Sequence, residues 1–223
     1  SAEKIQVYQR KTFRDGRQVS KKLQWNNFNR SDAYNLTPYD ETIVMDTDYI
    51  VGNDLLLNCF KLNDDFMIWK DSLYINPYGK PWEIRYVSDT SIEMYWATVF
   101  YFKKNKKMET FFELLKYIKE NWNYYRWIYQ ISGRNFRNDF AFSIAIHIMN
   151  GFESSTHWPT NPPGSLYYIF DRDLVEDFKD DEFTFLCTLP NDNSNYSVAT
   201  TKDLNVHVMN KIGLEQLIER QGI

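Results

Sequence analysis

Short apolar runs bounded by polar turn residues recur along the chain. A run of about four to eight residues that is rich in β-branched and aromatic side chains is too short for a typical helix, and it predicts a buried strand. Such runs occupy residues 42–45, 66–69, 95–102, 166–170, 183–189 and 205–209. The first run is apolar at every position, which favours a strand that is covered on both faces, as in a parallel sheet.

Other segments repeat their apolar residues at helical spacing. An apolar stripe from Phe111 to Ile118 predicts an amphipathic helix at residues 107–122. Residues 138–149 are apolar nearly all round, so a deeply placed helix is predicted there. Further helices are predicted at residues 25–36, at residues 54–60 and from residue 212.

The segments between these elements predict turns and loops. Residues 1–24 are polar and basic around Asp15-Gly16, a pair typical of tight turns, and they predict a hairpin or an ordered arm. Loops are predicted at residues 76–81, 156–163 and 191–195. Because strands and helices alternate through most of the chain, we expect an α/β fold, with residues 1–223 forming a single domain.

The charge balance is weakly acidic, with a formal net charge of −4. This balance argues against a protein whose whole surface binds nucleic acid, since such affinity comes mostly from neutralised phosphates. Positive charge is concentrated locally instead. Residues 1–30 hold eight Lys and Arg residues against two acidic ones, and a second basic run lies at residues 103–107. Runs of this kind are usually solvated surfaces.

The cysteines and the apolar content indicate a compartment. Cys59 and Cys187 are far apart in apolar surroundings, without the spacing of a metal site or of a disulfide framework, so free thiols are expected. No stretch approaches the roughly 20 apolar residues of a membrane span, and no signal-peptide core is seen. These features predict a cytoplasmic protein.

The strongest candidate for chemistry is Asp46-Thr47-Asp48, which follows the first predicted strand. Two carboxylates separated by one residue at the end of a strand can both reach one cation, and their oxygens suit Mg²⁺ or Mn²⁺. Two unpaired carboxylates this close repel each other, so a cation or a basic partner is expected beside them. The alternative is that Asp46 ends the turn and Asp48 is solvated.

Residues 30–51 resemble the signature of GT-A glycosyltransferases, in which an Arg-bearing helix, a Pro-containing turn and an apolar strand precede a metal-binding Asp-x-Asp. The resemblance is closest to glycogenin-like and bacterial galactosyltransferase-like enzymes and to phage-type proteins of this class. It implies a GT-A-like, Rossmann-like mixed sheet flanked by helices. It also implies Mn²⁺ or Mg²⁺ at Asp46 and Asp48, with a nucleotide-sugar, expected to be a UDP-sugar, as donor. A viral member would act in the host cytoplasm.

A histidine late in the chain matches a second part of the family pattern. Glycogenin-like enzymes carry a His-x-x-Gly-x-x-Lys-Pro-Trp segment, in which the His completes the metal shell and the Lys contacts the diphosphate. Here Lys211 follows His207 at four residues, but the Gly and the closing Pro-Trp are absent. The resemblance implies His207 as a metal ligand and Lys211 as a diphosphate contact. The alternative for His207 is a half-buried strand histidine held by one hydrogen bond.

Further positions match the sugar-binding residues of the family. Related retaining enzymes carry an Asp-Gln-Asp cluster at a helix start, where this chain has Arg137-Asn138-Asp139. Asn138 and Asp139 are therefore the implied catalytic contacts to the donor sugar. Arg30 is implied as a contact to the sugar or the diphosphate, and Ala97 as a small residue that lines the pocket. The alternatives are helix capping at Asn138 and Asp139, and a surface ion pair for Arg30.

The predicted function is metal-dependent transfer of a sugar from a nucleotide-sugar to an acceptor hydroxyl on a glycan, a protein or modified DNA. Only 45 residues precede Asp46, fewer than the nucleotide-binding half of the family ordinarily occupies, so a missing N-terminal segment or a partner chain is expected. The alternatives are a Mg²⁺-dependent nucleotidyltransferase or phosphohydrolase, and an inactive GT-A-like binding module. Neither a Gly-rich phosphate loop nor a multi-carboxylate cluster is evident in the sequence, which disfavours the first alternative.

Overall fold

A computed structural model describes residues 7–14, 17–24, 29–76, 85–154, 157–189 and 192–222. Its description of residues 7–14, 17–24, 29 and 192–194 is confined to the backbone. The predicted turn at Asp15-Gly16, the start of the predicted helix at residues 25–28 and the loop residues 77–81 lie outside the described residues.

The chain alternates between strands and helices in its first two thirds and then forms mostly strands. In chain order the elements are β1 (Val7–Arg14), β2 (Arg17–Gln24), a 3-10 helix (Asn29–Asp32), α1 (Ala33–Leu36), β3 (Glu41–Met45), β4 (Tyr49–Ile50), a second 3-10 helix (Leu55–Lys61), β5 (Phe66–Trp69), β6 (Ser72–Tyr74), β7 (Trp96–Lys103), α2 (Lys106–Glu120), α3 (Trp122–Ile128), α4 (Asn138–Met149), β8 (Leu166–Ile169), β9 (Leu174–Lys179), β10 (Glu182–Leu189), β11 (Asp192–Lys202), β12 (Val206–Val208) and α5 (Lys211–Gln221). The predicted N-terminal hairpin is confirmed as the antiparallel pair β1-β2.

The first hydrophobic core lies between a three-stranded antiparallel sheet, in the order β3-β7-β5, and the helices α2 and α4. Aromatic side chains join these layers. The ring centroids of Phe100 in β7 and Phe142 in α4 are 4.8 Å apart, and Phe66 in β5 contacts Phe111 in α2 at the same separation. Aromatic side chains bury large areas, so these contacts contribute strongly to the stability of this half of the molecule.

The second core lies around a four-stranded mixed sheet in the order β4-β12-β8-β6. β12 is parallel to β8 and antiparallel to β4, and β6 is parallel to β8. The antiparallel meander β9-β10-β11 and helix α5 contribute Val175, Phe185 and Leu217 to this core. Met209 packs against both cores and so connects the two halves.

A mixed α/β architecture is therefore confirmed, and most predicted elements are present. β5 and α4 have the predicted bounds, and β8, β10 and β12 lie at the predicted positions. Among the described residues, no helix is long and apolar enough to cross a membrane.

Several local predictions are wrong. β3 is not covered on both faces in a parallel sheet, because it is an edge strand that pairs antiparallel with β7 and is only partly buried. The predicted loop at residues 191–195 is largely strand, since β11 begins at Asp192 and pairs with β10. The helix predicted at residues 107–122 ends earlier, because Asn121 is the C-terminal cap of α2 and a separate helix, α3, begins at Trp122.

Candidate metal centre

The Asp46-Thr47-Asp48 segment is the point at which the chain passes from the first sheet to the second. At its start, the Asp46 backbone N–H donates to Thr98 O in β7 at 2.9 Å. At its end, the Asp48 carbonyl accepts from Val208 N in β12 at 2.8 Å, while Tyr49 N donates to Asp46 O at 3.1 Å and closes a turn. The backbone between two sheets is thus fixed on both sides, which holds both carboxylates in place.

His207 lies opposite this turn, because β12 pairs with β4 in the register that sets His207 against Tyr49. Its Nε2 atom is 3.4 Å from Asp48 Oδ2 and 3.9 Å from Asp46 Oδ2. One ligand atom from each of these three side chains lies within 4.8 Å of the other two. Strand pairing has therefore brought together residues that are about 160 positions apart in the sequence.

A divalent cation fits this set of side chains. In an octahedral shell with metal–ligand distances of about 2.1 Å, neighbouring ligand atoms are about 3.0 Å apart and opposite ones about 4.2 Å apart. The observed separations lie in this range or slightly above it. In addition, Asp48 Oδ1 and His207 Nδ1 are buried without a hydrogen-bond partner among the described residues. Buried polar atoms are normally satisfied, so the unpaired Asp48 Oδ1 favours a further group beside it. His207 Nδ1 does not add to this argument, because Nε2 is the nitrogen that faces the carboxylates.

Lys211 adds positive charge at the edge of the cluster. Its Nζ atom is 3.1 Å from Asp48 Oδ2, and its side chain is half exposed. Burial raises the pKa of Asp48, but the hydrogen bonds and charges of His207 and Lys211 outweigh burial and lower it to about 2. Asp48 is therefore ionised at neutral pH, as a carboxylate ligand must be.

The turn that carries Asp48 and the strand that carries His207 are also joined by an amide clasp. Asn205 Oδ1 accepts from the backbone N–H groups of Gly52 at 2.8 Å and Asn53 at 3.0 Å, and Asn205 Nδ2 donates to Asn53 Oδ1 at 2.9 Å. A Cβ at Gly52 would lie 2.5 Å from Leu204 O, so only glycine fits there. Sequence reasoning missed this clasp, because no local pattern relates Gly52 to Asn205.

Asn210 fixes Lys211 at the start of α5. Its side chain accepts from Gly213 N at 2.9 Å and donates to Asp173 O at 2.8 Å. The first of these bonds is an N-terminal cap of the kind that Asn commonly forms. Sequence reasoning also missed this role, although an Asn just before a predicted helix is a usual helix-start signal.

Arg30 contacts the cluster through Asp46, whereas Lys211 contacts it through Asp48. Its guanidinium forms an ion pair with Asp46 Oδ1 and donates to the carbonyl of Ala97. Burial lowers the pKa of Arg30, although the charges of Asp139 and Asp48 act to raise it. The interpretation of Arg30 as a surface ion pair is not borne out, because its side chain is only 9% exposed. One oxygen of Asp46 is thus neutralised by Arg30, and the other faces His207.

Asp139 connects to the same network through Ala97. The Ala97 backbone N–H donates to Asp139 Oδ1 at 3.0 Å, and Arg137 donates to Asp139 Oδ2 at 2.8 Å. Burial raises the pKa of Asp139, but the charges of Arg137 and Arg30 outweigh burial and lower it. Helix α4 begins at Asn138, which is buried, and its N-cap residue Arg137 makes no capping hydrogen bond with its side chain.

The structure thus places Arg30, Asp46, Asp48, Ala97, Asp139, His207 and Lys211 in one connected network of contacts. A separate cleft runs along α4 beside Tyr95 and His147, and none of the predicted site residues lines it. The grouping of charges, and not the size of a cleft, therefore identifies the candidate site.

Comparison of the chain with models of protein families, with curated proteins and with solved structures finds no match in any of the three.

Proposed function

We propose that the chain binds a divalent cation together with the diphosphate of a nucleotide-sugar, and transfers the sugar to an acceptor hydroxyl. The observation that carries this proposal is the cluster of Asp46, Asp48 and His207, with Lys211 at its edge. The two carboxylates suit Mn²⁺ or Mg²⁺, and the imidazole favours Mn²⁺ over Mg²⁺. The adjoining lysine supplies the positive charge that a diphosphate requires.

In this proposal, different residues of the cluster bind different parts of the donor. Asp46, Asp48 and His207 would hold the cation, which when bound stabilises negative charge on the departing diphosphate. Lys211 pairs with Asp48 through a long and half-exposed side chain, so rotation of that side chain can move its ammonium group to a phosphate oxygen. The ammonium group then stabilises the charge that develops as the sugar–phosphate bond breaks.

The sugar itself is assigned to the Arg30 side of the network. Arg30 donates to the carbonyl oxygen of Ala97, and Asp139 accepts from the Ala97 backbone N–H, so both side chains are held beside this residue. Asn138 and Asp139 begin α4 next to this peptide. In this proposal they accept or donate hydrogen bonds to the sugar hydroxyls and so orient the reacting carbon.

The release of UDP from a UDP-sugar in the presence of Mn²⁺ tests this proposal without a known acceptor, since water can take the place of the acceptor. We expect slow release by the native chain, and none by the Asp48→Asn variant. The matched control is Asp173→Asn, which changes a buried aspartate of the second core in the same way. Equal release by the native chain and Asp48→Asn would reject the proposal.

A second candidate is a binding module without catalysis. Arg30 already neutralises Asp46, and Arg137 already neutralises Asp139, so both acidic groups have structural partners of their own. A module of this kind binds a UDP-sugar with Mn²⁺ but releases no UDP. A binding titration carried out beside the UDP-release assay therefore separates it from the enzyme.

A further inference from the structure

The β1-β2 hairpin concentrates positive charge in an otherwise acidic chain. Residues 7–14 and 17–24 include six of the 26 Lys and Arg residues and none of the 30 Asp and Glu residues. The rest of the chain therefore carries a net charge of −10. Within the described residues, the two strands pair with each other and with no other strand.

The register of the hairpin sets like charges directly opposite each other. Arg10 pairs with Lys21, and Arg14 pairs with Arg17. Like charges at such positions destabilise a hairpin, and a two-stranded hairpin without further packing is only marginally stable. This arrangement favours a hairpin that binds a polyanion, because the negative charge of the polyanion would offset the repulsion between the paired basic residues.

Basic residues occupy positions on both faces of the ribbon. Alternate residues of a strand belong to opposite faces, so Arg10, Arg14, Arg17 and Lys21 share one face, whereas Lys11 and Lys22 belong to the other. A flat anionic surface, such as a membrane, meets one face only. A groove walled by phosphates on both sides meets both faces.

We propose that the β1-β2 hairpin is a DNA-binding ribbon that enters the major groove of a B-form duplex. The major groove admits a two-stranded β-ribbon, whereas the corresponding groove of an RNA duplex is too narrow. The two opposed pairs of cations are separated by four residues, which is about 13 Å along the ribbon and close to the rise of about four base pairs. This inference is independent of the proposed transferase activity.

Fluorescence anisotropy with a labelled 20-base-pair duplex of arbitrary sequence tests the inference on the whole chain. We expect binding that weakens about 100-fold between 50 and 200 mM salt, as contacts to about four phosphates require. The variant R10Q/R14Q/R17Q/K21Q should bind at least about tenfold more weakly at intermediate salt. Circular dichroism checks that this variant is folded, and the salt dependence of the native chain is a second test that needs no variant.

The matched control removes four exposed lysines from other parts of the chain, in the variant K61Q/K106Q/K179Q/K202Q. This control has the same net charge as the hairpin variant, and we expect it to bind DNA within about threefold of the native chain. An equal loss in both variants would show that only total charge matters and would overturn the inference.

Two other anionic ligands, an RNA duplex and lipid vesicles, test whether the hairpin binds something other than DNA. Binding of an RNA duplex or of phosphatidylglycerol vesicles as tight as that of DNA would contradict a ribbon in the major groove. The absence of DNA binding would also contradict it. If the native chain then self-associates and the hairpin variant does not, the partner of the hairpin is the acidic remainder of a second copy of the chain.

Discussion

Two buried aspartates, Asp173 and Asp48, have opposite surroundings. The carboxylate of Asp173 accepts from Tyr74 Oη, from Thr188 N and from Thr188 Oγ1 at Oδ1, and from Phe170 N at Oδ2, all within 3.0 Å. In contrast, one oxygen of Asp48 has no hydrogen-bond partner among the described residues, and the other faces His207 and Lys211. The fold thus supplies hydrogen-bond donors to both oxygens of Asp173 but leaves one oxygen of Asp48 without a donor.

The pKa values of these two groups shift in opposite directions. Burial raises the pKa of Asp173, and the hydrogen bonds from Thr188, Phe170 and Tyr74 offset this effect only in part. The pKa of Asp48 falls to about 2, because basic neighbours outweigh the effect of burial. A carboxylate that the fold keeps charged but does not saturate is suited to a ligand, whereas a saturated one holds strands together.

The largest effect is expected for Asp48→Asn. An amide removes one anionic ligand from the cluster, so the affinity for Mn²⁺ should fall by more than about 100-fold, or about 2.7 kcal/mol. Titration of Mn²⁺ followed by electron paramagnetic resonance measures this loss, and circular dichroism checks that the variant is folded. Unchanged Mn²⁺ affinity in the folded variant would mean that Asp48 is not a ligand.

Asp173→Asn should have the opposite outcome to Asp48→Asn, with a loss of stability and little change in Mn²⁺ affinity. The amide has one accepting oxygen, so either Phe170 N or the donors from Thr188 and Tyr74 face an NH₂ group. The free energy of unfolding should fall by about 2 kcal/mol, and Tm by about 4–8 °C. Calorimetry measures Tm, and the affinity for Mn²⁺ should stay within about threefold. A large loss of Mn²⁺ binding together with native stability would refute the distinction between the two sites.

His207→Ala should weaken Mn²⁺ binding by a smaller factor, about tenfold, because two carboxylates remain in the cluster. The control is His147→Ala, since His147 lies on α4 and hydrogen-bonds to Tyr129 instead of to the cluster. The same titration compares both variants. If both bind Mn²⁺ as the native chain does, His207 is only a structural residue of β12.

Lys211→Gln should have the smallest effect, and it should act on the nucleotide rather than on the metal. Loss of one ammonium group should weaken UDP binding in the presence of Mn²⁺ by about threefold to tenfold, while the affinity for Mn²⁺ alone does not fall. Lys179→Gln, on the exposed side of β9, is the control of equal charge. A parallel loss of UDP affinity in both variants would remove Lys211 from the site.

The sequence predicts those elements whose identity depends on local pattern. The apolar run of β5 and the nearly all-apolar α4 match their predicted bounds, because burial on several sides leaves little ambiguity of element type. β3 shows the limit of such reasoning. An apolar run does not distinguish a central strand of a parallel sheet from an antiparallel edge strand, since both are bounded by the same turn residues.

The candidate site was predictable in part. The two carboxylates of Asp46-Thr47-Asp48 are local in the sequence, whereas His207 and Lys211 were implied as part of the same site only by the resemblance to the glycogenin-like pattern. The clasp between Gly52 and Asn205, and the buried acceptor Asp173 that holds Asn210, depend on pairing between distant strands. No periodicity or spacing within one segment encodes such contacts, so only the folded chain reveals them.

The most direct test of the account is isothermal titration calorimetry of a UDP-sugar into the whole chain, with Mn²⁺ and again with excess EDTA. Because Asp46, Asp48 and His207 are proposed to hold the diphosphate through the cation, we predict clear binding with Mn²⁺ and its loss in EDTA. Equal affinity under the two conditions, or no binding with Mn²⁺, would contradict the account.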